Sequence, residues 1–299
     1  MFDRIMVLSD LTDTTEFAFK ALDRLANRQS RVVLYHATIG ATDQFYLADE
    51  LRKTLNVRAR RKARAAMDAY KEAIESRGLE VEAVVDVGST YDNLPGAIAR
   101  YDIDLVVIPT RIQHSLIRGV SNSVTARAIR THAAPVLIVN QTFGESEGAW
   151  DGFNRLMHPV AFGPDHMHGI AAAESLAAKL GSDLHLVHAM RTLELDDFSQ
   201  EFDEELGFAF RQDDMIAKAK ARLEQKRAAV EGVTAHGDVF ETESVATGLC
   251  QWATDQNMGG IVLPGVGQDR TRSMILGSVA EYLLKHAPCP VFICEKPLS

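Results

Sequence analysis

Several large protein classes are excluded by what this sequence lacks. No apolar run reaches the ~20 residues that a helix needs to cross a bilayer. The opening Met1-Phe2-Asp3-Arg4-Ile5 runs straight into a strand-like segment, without the basic and apolar regions of a signal peptide. Cysteine is scarce: Cys250, Cys289 and Cys294 cannot all pair within one chain, and the last two sit in an apolar stretch without metal-ligand spacing. They are expected to be small buried hydrophobes in a reducing cytoplasm. Positive charge is in deficit, the net charge being -9. A general nucleic-acid binder needs the opposite balance. There is no Gly-x-Ser-x-Gly elbow, no complete P-loop and no His-Glu-x-x-His, so no catalytic role is expected. Without a P-loop lysine or a carboxylate placed for Mg²⁺, ATP hydrolysis is expected to be slow at most.

What is present is an internal repeat, and it organises everything else. Asp104-Leu105-Val106-Val107-Ile108-Pro109 matches Gly259-Gly260-Ile261-Val262-Leu263-Pro264. Ala134-Pro135-Val136-Leu137-Ile138-Val139 matches Cys289-Pro290-Val291-Phe292-Ile293-Cys294 at the same offset. Val32–Ala37 echoes Leu184–Ala189 at an offset about three residues different, which requires an indel in between. At 299 residues the chain has room for two domains of about 150 residues each. The expected division is 1–141, a loose linker at 142–153 containing Gly144 and Gly148, and 154–299.

Within each half, short apolar runs alternate with stretches of helical spacing. The strand candidates in the first are Arg4–Ser9, Arg31–Ala37, Glu80–Val87, Ile103–Pro109 and Pro135–Asn140. Near-continuous Val, Ile and Leu points to strands covered on both faces. Phe17, Ala18, Ala21, Leu22 and Leu25 mark a helix, as do Ile170, Ala173, Leu176, Ala177 and Leu180 in the second half. The fold class is therefore α/β: two tandem doubly wound, Rossmann-like domains, each a five-stranded parallel sheet flanked by helices. Ligands of such domains bind beyond the strand C-termini, at the point where the strand order reverses.

The loop after strand four of the second half carries the main binding signal. It reads Pro264-Gly265-Val266-Gly267-Gln268-Asp269-Arg270-Thr271-Arg272-Ser273-Met274-Ile275-Leu276-Gly277-Ser278-Val279. Gly265 and Gly267 allow close backbone approach to a phosphate. Gly277, Ser278 and Val279 open a helix whose free N–H groups and positive dipole end favour an anion. Arg270 and Arg272 add charge from the intervening loop.

On these residues the sequence resembles the universal stress protein family, over both halves almost end to end. That family has Gly-x-x-Gly, nine residues, then Gly-Ser or Gly-Thr after its fourth strand, binding the phosphates and ribose of ATP. Gly267, the nine residues Gln268–Leu276, and Gly277-Ser278 match in full, whereas Pro264 replaces the first glycine and Gly265 follows it. The resemblance implies an adenine nucleotide, with or without Mg²⁺, in the second half. It also implies main-chain contacts to adenine at Ala189 and Ala37, a nucleoside contact from an aspartate after the first strand, and a dimer paired through a domain's last strand. Asp10 fits that aspartate in the first half, and its place in the second falls on Ala161. The first-half loop has Ile112 and Asn122 where glycines belong and keeps only Ser123, so that site reads as degenerate.

Other signals compete with simpler readings. His158, His166, His168, His185 and His188 crowd the second half, but His185 and His188 are an odd number of strand positions apart and face opposite ways, so no metal site is expected. His36 and His188 hold equivalent repeat positions, which indicates a fold role. Asp165 is the nearest carboxylate to the missing aspartate and also reads as a helix cap. Arg52, Lys53, Arg58, Arg60, Arg61, Lys62 and Arg64 form a basic cluster without an intervening acid, whereas Glu194–Glu205 is strongly acidic. The functional expectation is a cytoplasmic stress-response regulator with an unidentified protein partner, with no nucleic-acid or membrane partner. A scaffold that binds no nucleotide and a carrier of another small or apolar ligand are its rivals.

Overall fold

The computed structural model describes residues 1–38, 48–111, 128, 134–162, 167–192, 212–265 and 277–298. The apolar runs form strands because both of their faces are covered: Ile5, Met6, Val7 and Leu8 on the first strand are each buried, as are Leu105–Ile108 on the fourth. In chain order the first half comprises β1 (Arg4–Leu8), a 3₁₀ turn (Asp13–Glu16), α1 (Phe17–Leu25), β2 (Arg31–Thr38), α2 (Asp49–Glu75), β3 (Glu80–Val87), α3 (Thr90–Arg100), β4 (Leu105–Thr110) and β5 (Val136–Asn140). A single-turn helix α4 (Gln141–Gly144) follows. The second half comprises β6 (Arg155–Pro159), α5 (Met167–Leu180), β7 (Asp183–Arg191), α6 (Gln212–Ala228), β8 (Ala235–Thr242), α7 (Val245–Asp255), β9 (Gly260–Pro264), α8 (Ser278–His286) and β10 (Val291–Cys294).

The repeat is visible in individual hydrogen bonds. Ser30 Oγ donates to the Phe2 carbonyl and Ser182 Oγ to the Phe153 carbonyl. The His36 ring bonds the Ser9 carbonyl through Nδ1 at 2.8 Å, and the His188 ring bonds the Val160 carbonyl in the same way at 2.8 Å. The fold role expected for this pair of histidines is thus to tie the end of each second strand to the end of its first. Because Ser9 corresponds to Val160, Asp10 corresponds to Ala161.

The ten strands make one sheet in the order β3-β2-β1-β4-β5-β10-β9-β6-β7-β8. Each half is a parallel set of five, and among the described residues the one antiparallel pair is β5–β10, where Val291, Phe292 and Ile293 lie opposite Ile138, Leu137 and Val136. This corrects the expectation of self-association through a final strand. Both final strands spend their backbone donors and acceptors on each other inside one chain, so neither offers a free edge to a second molecule.

The connection between the halves is also packed, where the sequence reads as a loose linker. Phe143 and Phe153 are buried, and Trp150 stands between them with ring centroids 4.9 and 4.8 Å away, both edge-on. Phe153 in turn meets Phe292 of β10 at 5.0 Å. Trp150 Nε1 donates to the Gly259 carbonyl at 3.0 Å, so the ring is satisfied at its polar end as well. Fully buried Asn140 accepts from Phe143 N and donates to the Ala287 carbonyl at 3.1 Å, capping α4 while satisfying the end of α8 in the other half. One buried cluster consequently runs from Phe2 and Leu25 through Leu137 and Phe143 to Phe153, Leu176 and Phe292.

A core shared in this way makes the halves unfold together. Phe292→Ala should cost about 3–5 kcal/mol. In urea, tryptophan fluorescence and circular dichroism should report one coincident transition for the native chain and the variant. Two separated transitions in the native chain would show that the halves are independent.

Candidate functional site

In each half the strand order reverses between the first and fourth strands: between β1 and β4, and between β6 and β9. The crevice beyond their C-terminal ends is where a doubly wound sheet holds a ligand, because the two connections leave on opposite faces and part there. In the second half its walls are Val160–Phe162 after β6, Ala189 near the end of β7, Pro264–Gly265 at the end of β9, and Gly277–Val279 at the start of α8.

Gly277 is the N-cap of α8, in extended conformation with φ -58° and ψ 154°, and it supplies no side chain to the helix end. A Cβ at this position would meet none of the described residues within 4 Å. Glu281 N is the first amide to bond back, to the Gly277 carbonyl at 3.0 Å. The amides of Ser278, Val279 and Ala280 therefore precede the helical ladder, and Gly277 and Ser278 are exposed. Free amides and the positive helix end together attract an anion.

Gly265 has a requirement that the sequence reading does not anticipate. Its N–H donates to the Cys294 carbonyl at 2.9 Å, and a Cβ would stand 2.8–2.9 Å from Glu295 Cβ and Cα. Close passage of the β10 terminus already demands glycine here. A cavity of about 420 Å³ opens on that side of Gly265, between Cys294–Leu298 and the first-half residues Phe2, Ile103 and Pro135. It lies at the seam of the two halves and not over the β6–β9 crevice. Gly267, Arg270, Arg272, Asp165 and His166 lie outside the described residues, as do Ser123, Ile112 and Asn122 of the first half.

The nucleoside end differs between the halves. At the Ala161 position the second half has no carboxylate, and the next residue, Phe162, packs on the His188 ring with centroids 4.1 Å apart. Arg222 of α6 stands over the Phe162 ring at 6.0 Å. Neither residue is singled out by motif spacing, since one follows the motif position and the other lies on a helix far along the chain. In the first half Asp10 is already engaged: its Oδ1 accepts from Thr12 N at 3.0 Å and Thr12 Oγ1 at 2.7 Å. Arg111, just after β4, pairs with Asp13 at 2.6 Å and so links the two loops that border the first crevice. Exposed as it is, that pair contributes little stability. It does place a tether across the crevice mouth. Ala37 is buried at the end of β2.

The family model for the universal stress protein family matches residues 1–140 and again 152–295. The chain therefore belongs to the universal stress protein family and carries its domain twice. Among solved structures it resembles a universal stress protein from Archaeoglobus fulgidus DSM 4304 over 98% of both chains, with 18% identity and a TM-score of 0.63. It also resembles a functionally unknown protein from Pseudomonas aeruginosa PAO1, over 99% of this chain and 93% of that one, with 13% identity and a TM-score of 0.51. At these identities the likeness is one of fold. A comparison with curated protein sequences finds no match.

Burial pushes the thiols of Cys250, Cys289 and Cys294 up, the first to about 11 and the last to about 12, so they are protonated and poorly nucleophilic at neutral pH. His185 and His188 lie on opposite faces of β7, the first stacked on His236 at 4.5 Å and the second against Phe162. Among the described residues no cluster of three or more His, Cys, Asp or Glu is placed to hold a metal, and no helix is long and apolar enough to cross a membrane.

His185 is the group whose titration bears on stability. Its side chain is buried, Arg155 Nε stands 3.4 Å from its Nε2, and its Nδ1 has no hydrogen-bond partner. Burial first, then Arg155 and His236, lower its pKa from 6.5 to about 4, with Asp183 opposing. Between those values the unfolded chain takes up a proton that the folded chain refuses. This contribution is therefore complete above pH 6.5 and is lost as pH falls toward 4. Urea titrations from pH 7 to 4 should show a loss on the order of 2 kcal/mol that His185→Phe removes. An unchanged slope in the variant would assign the loss to other groups.

Proposed function

We propose that this protein is a stress-response regulator that binds an adenine nucleotide in the C-terminal half, while the N-terminal half is its ligand-free structural counterpart. The two domains are 1–141 and 154–299, with 142–153 as a packed connector. The observation that carries the reading is the exposed N-terminus of α8 at the β6–β9 crevice, which has no side-chain cap and, among the described residues, no neighbour within 4 Å of a Cβ at Gly277. Phosphate oxygens would accept from the amides of Ser278, Val279 and Ala280 and from the Ser278 hydroxyl, with Gly267, Arg270 and Arg272 contributing from the preceding loop. Ala189 offers main-chain groups to adenine. With Ala161 in place of a carboxylate, grip on the nucleoside rests on those groups and on Phe162, so the phosphates dominate recognition. Mg²⁺, if it accompanies the nucleotide, would be held through the phosphates. Binding would order the loop between Gly265 and Gly277 and alter the surface offered to a regulatory partner in the cytoplasm, where the reduced, buried cysteines persist.

Engagement of Asp10 by Thr12 and the Arg111–Asp13 tether support leaving the first crevice out of nucleotide binding. They also favour the principal rival, a scaffold that binds no nucleotide at all. Two measurements separate the readings. Mass spectrometry of small molecules released from the purified chain should find an adenine nucleotide. In thermal unfolding, ATP at about 100 times its Kd should raise Tm by about 5–10 °C. Gly277→Val should abolish the shift while leaving the ligand-free Tm within about 3 °C, because the added side chain stands at the proposed anion site and its Cβ meets none of the described residues within 4 Å. A chain that releases no nucleotide and ignores added ATP is the scaffold.

A further inference from the structure

The antiparallel seam relates the two halves by an approximate two-fold axis. Val291 faces Ile138 and Ile293 faces Val136, and Val136 and Ile138 are the repeat counterparts of Val291 and Ile293. A place packed on one side of the seam therefore has an equivalent on the other. On one side that place holds Trp150. Its indole sits between Phe143 and Phe153, with centroids 4.9 and 4.8 Å away, and donates to the Gly259 carbonyl at 3.0 Å.

The repeat counterparts of Phe143, Phe153 and Gly259 are Leu298, Phe2 and Asp104. The correspondence holds in space as well. The Phe2 and Phe153 carbonyls each accept from a buried serine, and Phe143 and Leu298 pack against the same core cluster. All three counterparts border the seam cavity of about 420 Å³, and no described residue stands among them as Trp150 stands across the axis. The cavity is thus the counterpart of the Trp150 seat. Its volume is within the range of small-molecule sites, which begins near 300 Å³.

The walls of this counterpart are fixed, and their charges are unevenly satisfied. Leu298 N donates to Ser175 Oγ at 2.7 Å and Ser175 Oγ to the Leu298 carbonyl at 3.1 Å, which holds residues 295–298 against α5. On the opposite wall the Asp104 carboxylate accepts from Asp3 N and Arg4 N at 2.8 and 3.0 Å, and Asp102 pairs with Arg4. Glu295 also has a partner. The two ammonium groups at the cavity, those of Lys179 and Lys296, have no ion pair among the described residues. Lys179 is half-buried, and its Nζ stands 5.0 Å from the centre of the Phe2 ring, a contact that offsets lost hydration only in part. Space shaped like an indole seat, with two uncompensated cations beside it, suits a flat ring that carries a negative charge.

We propose that the seam cavity binds a small aromatic carboxylate, its ring taking the place that Trp150 fills across the axis and its carboxylate meeting Lys179 and Lys296. The site is separate from the start of α8 and independent of nucleotide binding.

Calorimetric titration of the full-length chain with indoleacetate tests this. The Kd should lie below about 1 mM, and the neutral analogue indoleacetamide should bind at least about fivefold more weakly. Lys179→Gln/Lys296→Gln should weaken the acid at least about tenfold and bring it level with the amide. Ala134→Trp, which puts a ring of the chain's own at the cavity wall, should abolish binding, with native-like circular dichroism showing that both variants fold. Gly277→Val should leave the affinity within about twofold, and ATP should not compete. A native chain that gives no binding heat up to about 10 mM indoleacetate overturns the proposal. So do equal affinities of the native chain for acid and amide, or acid binding that the lysine substitutions leave unchanged. Loss of binding in Gly277→Val, or displacement by ATP, would put the ligand in the nucleotide crevice and overturn it too.

Discussion

The antiparallel β5–β10 pair is the contact on which the rest of the molecule depends. Each half alone would end in an exposed, apolar last strand, which is a site for pairing with another chain. Joining the two last strands inside one chain removes both edges and turns two five-stranded sheets into one of ten. The aromatic series Phe143, Trp150, Phe153 and Phe292 then closes over the seam, and Asn140 satisfies carbonyls at the end of α8 across it. Side chains on both sides of the seam belong to one continuous core.

That arrangement leaves the halves free to diverge at their crevices. A repeat held by a shared core needs only one binding site to justify both domains, and the residues at the two crevices differ accordingly. The first has its aspartate committed to Thr12 and its mouth tethered by Arg111 and Asp13. The second has lost the aspartate to Ala161 but presents a free helix start at Gly277. Among the described residues no neighbour lies within 4 Å of where a side chain at Gly277 would be. Charge differs between the halves in sequence too, with a basic run from Arg52 to Arg64 in the first and seven acids from Glu194 to Glu205 in the second.

The strand and helix pattern was legible in the sequence because burial on both faces of a parallel sheet writes a local signal, as at Ile5–Leu8 and Leu105–Ile108. The correspondence of Asp10 with Ala161 was legible too, since it rests on the repeat and is fixed in space by His36 and His188. The seam was not. Val136–Val139 and Val291–Cys294 are equally apolar, and nothing in an apolar strand says whether its partner is another strand of the same chain or a second molecule. The glycine at 265 reads as a phosphate-loop residue, but its steric need comes from Glu295, which is distant in sequence. Arg111 with Asp13, and Phe162 with Arg222, are pairings between remote segments that no spacing rule reaches. The linker looked loose because its glycines are visible in the sequence, while the packing of Trp150 and Phe153 depends on β10.

One binding-competent crevice per chain is the central claim, and calorimetric titration of ATP into the intact, nucleotide-free protein measures it most directly. A stoichiometry of one nucleotide per chain is the predicted result. A value of two would mean that the first crevice opens despite its tether, and the absence of any binding heat, with no change in Tm, would mean that neither half retains the site.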